Sequence, residues 1–232
     1  RAPAGPAFSV YKKHADMKKL CLSCLIALLC AFTMQAQQQL ERKRSLIPFV
    51  YPEFRDAKVL QTFGRSVQAK ANILLRNGAL CYLEGDKILQ AYTQNILGVE
   101  FDSVRYMKVD SAMGRVVAQK GYNYLLCVTR VDMDKYRAET TGGENLPFFE
   151  IDELNVFIEM QHDVRDEDKG LPLEDKYYFS IMGQVIPANE SKFEKFVRPE
   201  RMKEFKELME NRVWSWKEEE DLVELLDYLP EQ

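Results

Sequence analysis

Histidine is almost missing from this chain. Two occur in 232 residues, His14 and His162, and a hydrolase of the Ser/His/Asp or Cys/His type would have to recruit one of them. His162 stands between Gln161 and Asp163, where a strand would meet an acidic loop, and reads as a solvated loop residue. No Gly-x-Ser-x-Gly is present, so there is no nucleophile elbow. No Gly-rich loop ending in Gly-Lys-Ser/Thr precedes a helix, and Gly142-Gly143 is only a turn signal, which removes the usual phosphate cradles. Cysteine is scarce as well. Three of the five (Cys21, Cys24, Cys30) crowd the front of the chain, and the remaining Cys81 and Cys127 with one histidine cannot complete a tetrahedral zinc site without carboxylates. Asp163, Asp166, Asp168 and Gly170 are dense in acid but miss the EF-hand spacing, so they read as a solvated charged loop. Basic excess is lacking too. The 32 Lys and Arg are outnumbered by 36 Asp and Glu, a net charge of −4, which excludes a general nucleic-acid binder. No cofactor and no metal is expected.

The front of the chain carries an address. Met17 is followed by Lys18-Lys19 and by 13 residues, Leu20–Phe32, with one weakly polar member. At ~1.5 Å per residue the run reaches roughly 20 Å as a helix, against a hydrocarbon core of about 30 Å. It closes on Thr33-Met34-Gln35-Ala36. Basic start, short apolar run and small cleavage residue predict a secretory signal peptide over 17–36, cut after Ala36. Met34 is large for its place in such a cut. A lipid anchor on Cys30 is the alternative, opposed by the bulky Leu29, and a retained membrane anchor is another. Residues 1–16 look like a spurious or unstructured extension and 37–46 like a flexible, Gln-rich tether. Removal of residues 1–36, with five basic residues and one acid, leaves 27 basic and 35 acidic residues, a net charge of −8. Such a body disfavours anionic lipid or DNA as partners. The expected location is exported, periplasmic or bound to the cell envelope, with no transmembrane span in the mature chain. Export permits a disulfide between Cys81 and Cys127, worth ~4 kcal/mol in the chain-entropy model. Both lie in apolar runs, which favours two buried thiols in neighbouring strands.

Residues 47–187 read as strands separated by turns. Val67–Leu75, Ala79–Leu83, Ile88–Tyr92, Val104–Val109, Arg115–Gln119, Tyr124–Val131, Leu154–Gln161 and Lys176–Met182 recur at close spacing, which predicts an antiparallel meander. Asn77-Gly78 is a hairpin signal, and Glu84-Gly85-Asp86 another turn. Glu139–Asn145 and Asp163–Gly170 read as surface loops, with no helical period between strands. After Pro187 the period changes. Asn189 can cap a helix carrying Phe193 and Phe196. Pro199 suits the first turn of the next, and Ser215 to Glu218 fits a capping box. Leu222, Leu225, Leu226 and Leu229 then fall on one helical face. The fold expected is α+β: mainly an antiparallel β meander, curved or barrel-like, with a helical unit over 188–232 packed on it. Trp214 and Trp216 are expected to pin those helices to the sheet, and Tyr122/Tyr124 and Tyr177/Tyr178 to divide between core and surface.

Tyr51-Pro52-Glu53-Phe54, Ala57-Lys58-Val59-Leu60, Leu75-Arg76-Asn77-Gly78 and Val185-Ile186-Pro187-Ala188-Asn189, with the helices after them, resemble a family of uncharacterised exported proteins of Gram-negative anaerobes. The resemblance implies export and brings no catalytic residue. Asp102-Ser103-Val104 and Asp110-Ser111-Ala112 resemble the O-glycosylation pattern of periplasmic proteins in such bacteria, and Asn189-Glu190-Ser191 fits the N-linked pattern. The function expected is an exported, non-enzymatic binding or structural protein of the envelope, its partner a protein or a glycan. The C-terminal helices are a possible docking surface through Leu222, Leu225 and Leu229. A carboxylate-based glycan hydrolase and a small apolar-ligand carrier are the alternatives.

Overall fold

The computed structural model describes residues 44–141, 170–211 and 213–230. The chain divides at residue 44, and everything below concerns the unit that begins at Ser45. Eleven strands form one sheet: β1 (Arg44–Ser45), β2 (Arg55–Gln61), β3 (Ser66–Ile73), β4 (Leu80–Glu84), β5 (Lys87–Gln90), β6 (Ile96–Phe101), β7 (Val104–Val109), β8 (Ala112–Lys120), β9 (Asn123–Val131), β10 (Leu171–Ile181) and β11 (Gln184–Pro187). Among the described residues four short α-helices follow β9 or β11: α1 (Met133–Thr141), α2 (Glu190–Phe193), α3 (Met202–Met209) and α4 (Glu219–Glu224).

Two meanders share the sheet. One runs β2-β3-β4-β5 and the other β6 to β11, and β6 pairs with β2, not with the β5 that precedes it. The pairings among β2 to β11 are antiparallel, as the close spacing of the strands predicts. Two-residue loops close several hairpins. Asp102-Ser103 joins Phe101 to its partner Val104, and Asp110-Ser111 joins Val109 to Ala112. Each aspartate takes a positive φ, 48° and 52°, which Asp tolerates better than a branched residue.

The sheet curls into a half-barrel because the β3–β4 turn reaches across it. Leu75 O accepts from Val131 N at 2.7 Å and Gly78 O from Met113 N at 2.8 Å, so this turn is bonded to β9 and β8. Inside the curl lies one apolar cluster, with Ala71, Ile73, Leu80, Val99, Phe101 and Met113 buried. Asn72 is buried behind it on the other face of β3, and its amide is fully employed. It accepts from the backbone N–H groups of Tyr51 and Ile73 and donates to the carbonyls of Tyr51 and Glu53, as a buried amide must.

A second cluster joins the helices to the sheet. Leu125, Phe179, Ile181 and Ile186 meet Phe193, Phe205, Leu222, Leu225, Leu226 and Leu229. Trp214 and Trp216 stack edge to face at 4.8 Å, and Trp216 meets Phe193 of α2 at 6.0 Å, so the pair packs, partly buried, against the cluster that sheet and helices share. Asn189 caps α2 as expected, its Oδ1 accepting from Lys192 N at 3.1 Å.

Several expectations need correction. Asn77-Gly78 does not form a tight two-residue turn. Leu74 bonds to Ala79 and to Gly78, a four-residue loop in which only Gly78 takes positive φ. Ser215 is no capping-box residue, because α4 starts four residues later. Asp221 instead reaches back to Ser215 N at 2.9 Å. Leu222, Leu225 and Leu229 are buried, so they offer no docking surface. Residues Glu139–Thr141 belong to α1, not to a loop. The strands β1, β2, β6 and β11 depart from the expectation, and β1 falls within the stretch 37–46 expected to be a flexible tether. The strand predicted at Leu154–Gln161, His162 and the acids Asp163, Asp166 and Asp168 lie outside the described residues.

Candidate functional site

One register line crosses four strands and gathers polar side chains on one face. Tyr106 of β7 stands opposite Arg115 of β8, Arg115 opposite Cys127 of β9, and Cys127 opposite Tyr177 of β10. With neighbouring strands ~4.8 Å apart, the line is about 14 Å long. Two residues along the strands on the same face, Thr129 stands opposite Asp175, and its hydroxyl donates to Asp175 Oδ1 at 2.6 Å.

A β-bulge sets what lies beside this line. The β8–β9 register shifts between Val116 and Ala118, so Arg115 and Ala118 share a face although they are three positions apart. Ala118, Leu125, Phe179 and Ile186 then make an apolar line parallel to the polar one, and the C-terminal helices cover it. The polar line borders that cover. Glu219, the first residue of α4, reaches over it: its Oε2 accepts from Arg115 Nη2 at 3.0 Å and from the Tyr177 hydroxyl at 3.3 Å. At the other end the hydroxyls of Tyr106 and Tyr51 are 3.2 Å apart.

The line is partly open. Tyr106 and Cys127 are buried, whereas the Arg115 and Glu219 side chains keep 41% and 37% of their exposure. Burial, with a lesser part from Asp175, pushes the Cys127 thiol up to about 11, so it stays protonated near neutral pH and is no nucleophile. Burial also raises the Tyr106 phenol, aided by Tyr51, and the Tyr177 phenol, aided by Cys127 and Glu219. Burial opposes the Arg115 charge, but Glu219 and Cys127 outweigh it and hold the guanidinium above its ordinary range. The set is a guanidinium, two carboxylates that already accept hydrogen bonds, three phenols, a buried thiol and a hydroxyl. It sets hydrogen-bond donors and acceptors side by side on one face of the sheet. No group of three or more His, Cys, Asp or Glu among the described residues could hold a metal ion.

Of the residues singled out in the sequence, only Cys127 and Tyr177 belong here. Cys81 and Cys127 are free, buried thiols; Cys81 packs in an apolar cluster with Phe49, Leu74 and Leu75, and Cys127 stands on β9, which is not a neighbour of β4. Ser103 and Ser111 lie in exposed hairpin turns. Asn189 is engaged as a helix cap and bonds to Ser191 as well. Tyr177 packs on the helices and Tyr178 on the opposite face, as strand alternation requires. Arg115, Glu219, Tyr106 and Asp175 were missed, since only the strand register brings them together.

These features define a class by fold: an antiparallel β half-barrel with short C-terminal helices. No family model, curated protein or solved structure matches the chain. Among the described residues no helix is long and apolar enough to cross a membrane.

Proposed function

We propose that this chain is an exported, non-enzymatic binding protein of the cell envelope, and that the polar line on the sheet holds a short glycan. The carrying observation is the alignment of Tyr106, Arg115, Cys127 and Tyr177 across four strands, beside Thr129, Asp175 and Glu219. Such a set offers donors and acceptors side by side with aromatic surface, which is what sugar hydroxyls and their apolar ring faces require. The basic pair and apolar run at 18–32 support export, as does the resemblance to exported proteins of Gram-negative anaerobes. The interior of the curl is filled by buried side chains in mutual contact, which counts against the apolar-ligand carrier.

Titration calorimetry of the protein with short cell-wall and capsular oligosaccharides tests this reading. A saturable heat is expected, and Arg115→Met and Glu219→Gln should each weaken it about tenfold or more, the loss of a charged hydrogen bond. The melting temperature reads whether the variants stay folded. Absence of binding to every glycan, or equal binding by the variants, overturns the proposal. Asp175 and Glu219 both lie near Tyr177, so the products of the same incubations also test the hydrolase alternative. N-terminal sequencing of the protein from a Gram-negative host should begin at Gln37 if the leader is cut as proposed.

A further inference from the structure

One dipeptide that the glycan reading leaves unused stands at the turn that curls the sheet. Asn-Gly occurs once in the chain, at Asn77-Gly78, and the fold asks for both residues. Gly78 takes φ 75°, in the left-handed region. A Cβ there would meet the Ala112 Cβ at 2.9 Å and Val128 Cγ1 at 3.3 Å, so a side chain would have to push β8 aside. Asn77 is exposed, and its Oδ1 accepts from Ala79 N at 3.0 Å, the local bond that suits Asn to turns.

The same pair is chemically weak, because no side chain shields the amide nitrogen of a glycine. Once Gly78 N loses its proton, its lone pair can attack Cγ of Asn77. The new N–Cγ bond closes an imide ring, and Nδ2 leaves as ammonia, taking up a proton in place of the one lost. Water then opens the ring. Attack at Cγ gives aspartate. Attack at the main-chain carbonyl carbon of residue 77 gives isoaspartate, in which the chain reaches Gly78 through Cβ and Cγ and is longer by a carbon.

The native turn opposes the first step. Gly78 is buried, and its N–H is donated to Leu74 O at 2.8 Å. Removing that proton breaks the bond, and a buried, bonded N–H meets base only when the structure opens locally.

We infer that Asn77-Gly78 is a modification site that the native fold keeps closed: opening of the β3–β4 turn lets Asn77 become isoaspartate, and a chain so modified no longer curls its sheet. The reach of the change comes from its position. Leu75 O and Gly78 O, on either side of Asn77, accept from Val131 N at 2.7 Å and Met113 N at 2.8 Å. An added carbon between these two carbonyls sets one bond out of line when the other is made. Ordinary aspartate keeps the chain length and can still accept from Ala79 N. The inference does not depend on the glycan site.

The test holds the full chain with a reductant at mildly alkaline pH, one sample native and one in guanidinium chloride. Peptide mapping reads residue 77, with an aspartate-specific protease that passes over isoaspartate. Conversion should be at least about tenfold faster in denaturant, where no opening is needed. After the denaturant is removed, hydrogen exchange reads the share of molecules with protected Met113 and Val131 amides. That share should fall as isoaspartate at 77 rises. Asn77→Ser cannot close the ring and should regain protection fully after the same incubation. Asn77→Asp, refolded at once, should match the parent. Equal conversion in the native and denatured samples overturns the inference. So does full protection in chains that carry isoaspartate, or a loss in Asn77→Ser as large as in the parent. Failure of Asn77→Asp to regain protection would trace the effect to the lost amide, not to the longer chain, and overturns it too.

Discussion

At the scale of single residues, the two buried cysteines govern the response to alkali. Burial raises Cys127 to about 11 and Cys81 to about 12, from an ordinary 9.0. Raised values in the fold mean that the unfolded chain loses its thiol protons first. The stability these groups contribute is complete below 9.0 and falls as pH rises through 9.0 to 11 and on toward 12. A denaturation series against pH should show that decline. An alkylating reagent at about pH 8 should leave both thiols untouched in the folded protein and modify both after unfolding, since the thiolate is the reactive form. Rapid modification of Cys127 in the native state would contradict its protonated state. The sequence already indicated burial, because each cysteine stands in an apolar run. It gave no sign that Cys127 faces Thr129 and Arg115, since those contacts depend on which strands lie side by side.

At the scale of elements, β6 depends on Gly98. A Cβ built there would stand 2.3 Å from Tyr106 O, a backbone atom of the paired strand, so Gly98→Ala must push β7 away from β6. A loss of about 1–3 kcal/mol is expected, read as a lower urea midpoint, and an unchanged midpoint would show that the strands part without penalty. Alternation of apolar residues placed β7 at Val104–Val109 with both ends correct. It missed β2, whose exposed face carries Lys58 and Asp56, and β6, where the glycine interrupts the apolar pattern. The turns Asp102-Ser103 and Asp110-Ser111 were seen as modification patterns although their first duty is to reverse the chain. Asn189 was legible as a cap because its partner is three residues away. Ser215 was misread because the true start of α4 depends on where the helix docks.

At the scale of the whole molecule, sheet and helices share one core. Leu225 is completely buried among residues of β9, β10, β11 and the helices. Leu225→Ala should remove about 2–5 kcal/mol. Trp214 and Trp216 fluorescence, which reports on the helices, and far-UV circular dichroism, which reports mainly on the sheet, should shift together to a lower urea midpoint. Separate midpoints would show that the helical unit melts by itself. A β-rich body with helices behind it was readable from the change of period near Pro187. The curl was not, because it comes from the β3–β4 turn bonding to Met113 and Val131, residues more than thirty positions away. The polar line shares that origin: Arg115 and Glu219 are 104 residues apart, and no local pattern joins them.

An unclosed sheet leaves borders, and here two of them are short. β5 borders one side with four residues, and β1 and β11, both paired with β10, border the other with two and four. An incoming chain adding to either would find only a few amides to pair with, too little to start a stack of copies.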